Sequence, residues 1–287
     1  MPEAMRPLRT VYHYCSLATL KGIVETKRLW LSSIYFLNDK LEHRWFRQLA
    51  IGRLGDLQRM AELKGRLRGD VPEDTAGTIL VYQELERELS KGSQYSNDFC
   101  GCFSAEPDLL SQWRAYGDDG YGFSVGFTTR SLQADPAIEF VQINYALSSQ
   151  IEIIEGLAAE VARRKNEGPQ IVSQLAKAFR NDVWTAAAKH KNDAFGEEKE
   201  WRVIYTPDRL ASDRITAIDG GQVKYRIRDR ELIPHFQWPF ATDHEAICEV
   251  YFGPKNVSPE QEIAIRNLLT HNGFPNVDIK RSKASYR

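Results

Sequence analysis

Cysteine is scarce in this chain, with four residues in 287. A protein of this length can bury enough apolar surface to fold without disulfides, so the small number indicates a reducing compartment. Cys100 and Cys102 stand close together, but no second Cys or His pair follows at the spacing of a zinc site. We therefore expect structural cysteines and no metal.

Long apolar runs are also lacking. No window approaches the ~20 apolar residues that cross a membrane, and no run of signal-peptide length follows Met1 to Arg9. These two absences predict a cytoplasmic protein that has no membrane partner.

The chain also lacks an excess of charge of either sign. The chain carries 38 Lys and Arg residues against 39 Asp and Glu residues, a net charge of -1. That balance excludes a protein that is basic over its whole surface, as many duplex-binding proteins are. A local basic face stays open, because net charge averages over all surfaces.

What the chain does contain is a mixture of strands and helices. Short β-prone runs predict strands at 10–14, 28–33, 99–104, 121–127, 138–145, 198–205, 224–227, 246–252 and 277–280. Apolar residues at helical spacing predict helices after Ser16, from Asn38, from Pro107 to Tyr116, and over 150–164, 169–191 and 259–271. The charged stretch 56–91 adds two or three amphipathic helices. We expect one α+β domain over 1–287, with helical insertions at about 40–95 and 148–192.

Three polar features lie where predicted strands end or turn, and the first is His13. It stands at the end of the first strand, next to a helix that Ser16 can cap. A helix N-terminus favours a phosphate, and a neutral imidazole can bond a sugar hydroxyl. A lone histidine between two tyrosines is more often a structural hydrogen-bonding residue than a ligand contact, so the residues alone favour a structural role for His13.

The second feature is the pair Phe103 and Ser104, just before the helix that begins at Pro107. An aromatic ring at such a junction can stack on a flat heterocycle. The alternative is a core strand in which Ser104 caps the next helix.

The third feature is a pair of carboxylates, Glu198 and Glu200, which share one face of the predicted strand. Two carboxylates in a pocket can stabilise a cation-like centre or bind ribose hydroxyls, and their repulsion would raise the pKa of one of them. A solvated edge strand is the alternative. A nuclease-like Mg²⁺ site at Glu197 to Lys199 is disfavoured, because that strand carries no upstream metal-binding aspartate.

Taken together, these features resemble the bacterial family called domain of unknown function 2971, over residues of about 10 to 255. The matching motifs are Tyr12 to Ser16, Leu29 to Ser32, Leu37 to Asp39, Cys102 to Ser104, Trp113 to Tyr116 and Glu198 to Arg202. That family is in turn similar to the ADP-ribosyltransferase superfamily. In that superfamily a histidine or arginine on the first strand, an aromatic or serine on a middle strand and a glutamate on a late strand bind NAD.

The resemblance implies a fold, an activity and a set of site residues. The fold is an ADP-ribosyltransferase-like mixed β-sheet core, a split sheet, with helical insertions. Glu200 is the implied catalytic residue, and Glu198 would orient the acceptor. The implied NAD-binding residues are His13, Tyr14, Ser32, Asn38, Phe103, Ser104, Arg114 and Tyr116. Two departures from the related branch stand out, since Tyr14 replaces a common glycine and no tyrosine occupies the middle strand.

Within that set the implied contacts differ. His13 would bind the adenosine-side ribose hydroxyl, and Phe103 or Tyr116 would stack on the nicotinamide. Ser104, Asn38 and Arg114 would supply secondary polar or pyrophosphate contacts.

The expected activity is NAD-dependent mono-ADP-ribosyl transfer to a nucleic acid or protein, as in a bacterial toxin or phage-defence effector. An antitoxin or regulatory partner belongs to the same expectation. A basic set on or after the helix 169–191 forms either an acceptor face or a solvated surface: Lys177, Arg180, Lys189, His190 and Lys191. The alternatives are an NAD glycohydrolase and a non-catalytic nucleotide- or protein-binding module on the same fold.

Overall fold

The computed structural model describes residues 9–37, 42–67, 73–91, 98–207, 223–228, 230–240 and 244–286. The chain divides into two compact units. The sheet unit comprises Met1–Ser33, Asn97–Ile143 and Gly196–Arg287, and the helical unit comprises Ile34–Ser96 and Asn144–Phe195. The helical segments overlap the insertions expected at about 40–95 and 148–192. That the whole chain is one domain stays a prediction.

Ten strands and eight α-helices are formed by the described residues. In chain order they are β1 (Thr10–Cys15), α1 (Leu17–Thr26), β2 (Arg28–Ser33), α2 (Glu42–Leu67), α3 (Glu73–Ser90), β3 (Phe99–Ser104), α4 (Leu110–Ala115), β4 (Phe123–Thr128), α5 (Thr129–Leu132), β5 (Ile138–Gln142), α6 (Leu147–Arg163), α7 (Pro169–Ala187), β6 (Glu200–Tyr205), β7 (Lys224–Arg228), β8 (Glu231–Pro239), β9 (Ile247–Phe252), α8 (Pro259–His271) and β10 (Asp278–Arg281).

All ten strands belong to one open, mixed sheet in the sheet unit. Its order is β10-β9-β4-β1-β3-β2-β8-β7, and β6 pairs with both β3 and β5. The pairing of β9 with β10 is parallel, and the other pairings are antiparallel. The α+β class expected from the sequence is therefore confirmed.

One face of this sheet is covered by helices. Apolar side chains such as Val11, Phe103 and Val203 pack into a single core with residues of α1 and α8, including Leu20 and Leu269. Ser16 starts α1 as expected, since its side chain accepts a hydrogen bond from the Thr19 amide at 3.3 Å. Burial of these alternating residues fixes which side of β1 and β3 points away from the core.

The sheet forks at β3. One edge of β3 pairs with β6 along its whole length, from Phe99↔Tyr205 to Ser104↔Glu200. The other edge is shared: β1 pairs with it at Tyr12↔Ser104, and β2 pairs with it at Ser32↔Cys100 and Ser33↔Phe99. Cys102 lies between these two pairings, so the point where β1 and β2 separate is at Cys102. We call this point the sheet fork.

The main differences between the predicted and the observed elements concern β6, β8 and α4. β6 begins at Glu200 and not at 198, because Lys199 adopts a left-handed conformation with φ of 47° that ends a 3₁₀ turn. β8 was not predicted, since Pro234 argues against a strand that lies inside a sheet. α4 covers six residues, fewer than the helix expected from Pro107 to Tyr116.

The helical unit has its own core, formed by α2, α3, α6 and α7. Residues such as Phe46, Leu85, Ala158 and Phe179 pack together there. Within the described parts of the chain, none of the helices combines the length and apolar character that crossing a membrane requires.

Candidate functional site

A small pocket lies at the sheet fork. Its volume is about 60 Å³, compared with roughly 300–1,000 Å³ for typical small-molecule sites. Its walls come from β1, β3, α4 and the turn before β6, through Tyr12, His13, Tyr14, Cys102, Phe103, Gln112, Tyr116, Glu198 and Glu200. The described residues thus enclose room for one end of a ligand.

The fork explains the position of His13. In an antiparallel ladder the N–H and C=O of one residue point to the same edge, and the edge at Cys102 is the one that β1 and β2 leave. The pairing of β1 with β3 does not continue from Tyr12↔Ser104 to Tyr14 and Cys102. The Cys102 carbonyl instead accepts a hydrogen bond from His13 Nδ1 at 2.9 Å.

This bond sets the chemistry of His13. A carbonyl can only accept, so Nδ1 carries the proton and Nε2 of the neutral ring is an acceptor. Burial lowers the pKa of His13, which keeps the ring neutral. His13 therefore supplies a hydrogen-bond acceptor to the pocket and no positive charge.

Glu200 is held by a buried arginine. Arg202 Nε and Nη2 donate to Glu200 Oε1 and Oε2 at 2.7 and 3.0 Å, and Arg202 is fully buried. Burial lowers the pKa of Arg202 to about 9, so the guanidinium stays charged at neutral pH and favours the carboxylate form of Glu200. Each carboxylate oxygen of Glu200 thus accepts one bond from Arg202, which fixes the orientation of the carboxylate.

Cys102 is a neutral thiol. A hydrogen bond with Cys100, burial and the charge of Glu200 together raise the pKa of Cys102. A thiol in this state is a poor nucleophile at neutral pH. Cys102 therefore forms part of the pocket wall. This agrees with the structural role that the sequence predicts for the cysteines.

Glu198 reaches the pocket from the turn before β6. Its backbone carbonyl accepts a hydrogen bond from Ser104 Oγ at 2.8 Å, and Ser104 Oγ accepts one from the Glu106 amide at 3.1 Å. Lys199, exposed between the two glutamates, pairs with Glu106 at 2.6 Å. The two pocket carboxylates thus come from a turn and a strand, and Ser104 fixes the turn.

The tyrosines and Phe103 form the aromatic wall. The Tyr14 hydroxyl donates to the Glu106 carbonyl and accepts from the Leu109 amide, both at 2.9 Å, so it holds the loop ahead of α4. The ring of Phe103 lies 5.8 Å from His13 and 5.6 Å from Phe127, with its own side chain in the core. Only ring surface of Tyr14 and Phe103 is available to a ligand.

Three described residues of the expected site do not line the pocket. Ser104 is buried beside it, and Ser32 lies on β2, where its Oγ accepts a hydrogen bond from Arg226 Nη2 at 2.8 Å. The Arg114 guanidinium stacks on Tyr286, 4.9 Å from the ring centre. Asn38 lies outside the described residues. The pocket collects the other six: His13, Tyr14, Phe103, Tyr116, Glu198 and Glu200.

Sequence reasoning missed Tyr12, Cys102 and Gln112 as pocket residues. The Gln112 side chain is only 8% exposed, and its carboxamide forms no hydrogen bond with another described residue. Tyr12 could have been found, because residues two apart on a strand share a face with each other and Tyr14 is already implicated. Gln112 carries no local signal, since a single glutamine in a short helix belongs to no chemical motif.

The basic set on and after α7 is only partly exposed. Arg180 pairs with the buried Glu88 at 3.2 Å, and His190 and Lys191 are themselves buried. Lys177 is exposed. Among the described residues, no group of three or more His, Cys, Asp and Glu side chains is placed to hold a metal ion.

Comparison with known proteins gives one match. The model of a family described as "Protein of unknown function (DUF2971)" matches residues 112–203. The resemblance to this family is confirmed over that stretch, which is shorter than the expected 10–255 and includes Gln112, Tyr116, Glu198 and Glu200 of the pocket. No curated protein and no solved structure matches the chain.

Proposed function

We propose that the pocket at the sheet fork binds the nicotinamide and ribose end of NAD, and that the protein transfers ADP-ribose to a macromolecular acceptor. One observation carries this proposal. The fork brings the neutral acceptor of His13 and the carboxylates of Glu198 and Glu200 to one small pocket, although they come from distant parts of the chain.

The pocket's polar groups suit a carboxamide on a sugar. Tyr14 and Cys102 direct backbone amide and carbonyl groups into the gap where the pairing of β1 and β3 stops. Gln112 lines the pocket, and its carboxamide makes no bond to a described residue. These groups can bond the nicotinamide carboxamide, while His13 Nε2 accepts from a ribose hydroxyl.

Glu200 supplies the electrostatic part of catalysis. Cleavage of the nicotinamide–ribose bond passes through an oxocarbenium-like centre at the sugar carbon C1′. Arg202 keeps Glu200 oriented and ionised, so the carboxylate can stabilise the developing positive charge and accept from a ribose hydroxyl. Glu198 is half-buried at the pocket margin, where we assign it to the incoming acceptor.

The direct test is nicotinamide release from labelled NAD in the presence of a cell extract. We expect Glu200→Gln to lower the rate about 100-fold or more, the usual effect of removing a preorganised stabilising group. Glu197→Gln is the matched control, because Glu197 is exposed in the same turn and does not line the pocket. It should release nicotinamide at the wild-type rate.

Glu200→Gln also leaves the buried Arg202 without its counter-charge, so folding must be monitored by circular dichroism. Glu198→Gln avoids this problem, and we expect it to lower transfer more than nicotinamide release. Nuclease or protease treatment then identifies the acceptor class. Free ADP-ribose without a modified macromolecule would favour a glycohydrolase, and failure of the wild-type protein to bind or consume NAD would refute the proposal.

A further inference from the structure

A second feature of the sheet unit is a basic face at the β7 end of the sheet. Lys224, Arg226 and Arg228 occupy alternate positions of β7, so their side chains leave the same face. The register Lys224↔His235 and Ser32↔His235 puts β8 and β2 residues on that face too. We call this set the basic face: Arg28, Trp30, Lys224, Arg226 and His235. Arg228 stands at its end, directly opposite the acidic Glu231.

The basic face continues towards the pocket. Ser32, which bonds Arg226, pairs directly with Cys100 of β3. Cys100 and Cys102 point to the same side of β3, and two strand residues span about 7 Å. The pocket wall at Cys102 thus lies one pleat from the pairing that carries Arg226. Besides burial, the larger cause, the charge of Arg226 also lowers the pKa of His13.

The face combines cations with an accessible aromatic ring. Trp30 is 45% exposed and is stacked on the ring of His235, with centroids 4.5 Å apart. The Arg226 guanidinium lies 5.6 Å from the centre of the Trp30 ring. Nε of Arg226 is buried without a hydrogen-bond partner among the described residues. Such groups are uncommon in folded proteins and leave bonding capacity unused.

We propose that the basic face binds a single-stranded nucleic acid and that this strand is the acceptor of ADP-ribose. Cations that follow the phosphates and an exposed ring on which a base stacks are the two elements of single-strand binding. An acidic protein segment would match the cations and would leave the exposed Trp30 unexplained. The acceptor role rests on the proposed function; the binding does not.

The transfer itself needs no further reactant. A nitrogen or hydroxyl of the bound strand forms a bond to ribose C1′ as the bond from C1′ to the nicotinamide nitrogen breaks. The electron pair leaves with neutral nicotinamide, and the proton of the acceptor passes to Glu198. The strand lies close enough to reach the pocket because the basic face and the pocket share one side of the sheet.

Binding is tested without NAD, by fluorescence anisotropy of a labelled 20-nucleotide single-stranded RNA and its DNA equivalent over a series of salt concentrations. We expect Trp30→Ala to weaken binding about tenfold and Trp30→Phe to retain most of it. Lys224→Ala with Arg226→Ala should reduce the slope of log affinity against log salt by about 1.4, since each cation contributes about 0.7.

Matched controls lie elsewhere on the sheet unit. Lys21→Ala removes a cation whose side chain is 61% exposed, and Tyr121→Ala removes a ring that is 58% exposed. Neither should change binding. Circular dichroism establishes that each variant is folded. If Trp30→Ala does not fold, the variant with Lys224→Ala and Arg226→Ala still tests the basic face.

The inference is overturned if neither strand binds, or if the basic-face variants bind as well as the controls. Equal binding of a poly-glutamate peptide with the same dependence on Trp30 would make a protein the acceptor. Nicotinamide release measured in parallel separates the two proposals. Release without strand binding refutes this inference alone. Strand binding without release refutes the proposed function, and with it the acceptor role, and leaves the binding of the strand to the basic face intact.

Discussion

Two histidines, the half-buried His13 and the buried His190, show how differently the two units use the same chemistry. In the sheet unit, His13 Nδ1 donates to the Cys102 carbonyl at 2.9 Å; in the helical unit, His190 Nδ1 donates to the Ala186 carbonyl at 2.6 Å. Burial lowers the pKa of both. His190 then packs flat on Phe46, whereas His13 lines a pocket with two carboxylates. A neutral histidine that bonds a backbone carbonyl therefore does not by itself indicate a functional site. It indicates one only where its second nitrogen faces a pocket, as in His13.

The largest difference in stability between the two units should come from their buried ion pairs. Arg202 is fully buried against Glu200, whereas the Arg180 side chain keeps 14% exposure and its partner Glu88 also pairs with Lys91. We expect Arg202→Ala to lower the free energy of unfolding by about 3–5 kcal/mol, because it strands a buried charge. Arg180→Ala should cost less than half as much.

Urea denaturation measures both values. The double variant Glu200→Leu with Arg202→Met removes both charges and should recover most of the lost stability. If Arg202→Ala and Arg180→Ala lower the free energy of unfolding equally, the two ion pairs do not differ in the way we predict.

Two buried glutamines give the next contrast. Gln150 of the helical unit donates to the Asn144 and Lys191 carbonyls and accepts from the Trp45 indole. Gln150→Leu should therefore lower the free energy of unfolding by about 1–3 kcal/mol, since it leaves these groups unpaired. Gln112→Leu should change it by less than about 0.5 kcal/mol, because it breaks no such bond, and should weaken NAD binding. A large stability loss for Gln112→Leu in urea would show that Gln112 serves the fold.

The smallest effect is the pH dependence that the histidines share. Burial lowers the pKa of His13, His190 and His235, so the unfolded chain takes up protons first as the pH falls below about 6.5. Their contribution to stability is complete above that pH and is lost as the pH falls through their lowered pKa values. Urea titrations from pH 7.5 to 5 should show a shallower slope for His13→Asn and for His190→Asn. If neither variant changes the slope of the free energy of unfolding against pH, burial does not lower the pKa of the two histidines as stated.

Individual strands and helices of this fold could be predicted from the sequence. The sheet fork, where β1 and β2 share one edge of β3, could not. The strands at 28–33 and 99–104 and the helix at 259–271 were predicted with the bounds they have, because period and capping are local properties. The start of β6 depends on a left-handed Lys199, a conformation with no marker in the residue type. The sharing of one edge of β3 by β1 and β2 depends on contacts between distant segments.

The candidate site shows the same limit. Residue type at strand ends pointed to His13 and Glu200, and the pocket contains both. It did not reveal that Ser104 and the Tyr14 hydroxyl are used to hold the loops at Glu198 and Leu109. Those bonds arise from the register of β3 with β1 and β6, which no single segment encodes.

Calorimetric titration with NAD tests the central claim most directly, through the two histidines. In His13→Asn and His190→Asn the new amide can keep the bond to the backbone carbonyl, while the Nε2 acceptor is lost in both. The account predicts that wild type and His190→Asn bind NAD alike and that His13→Asn binds at least tenfold more weakly. Equal affinities for His13→Asn and wild type, or no binding by wild type, would contradict it.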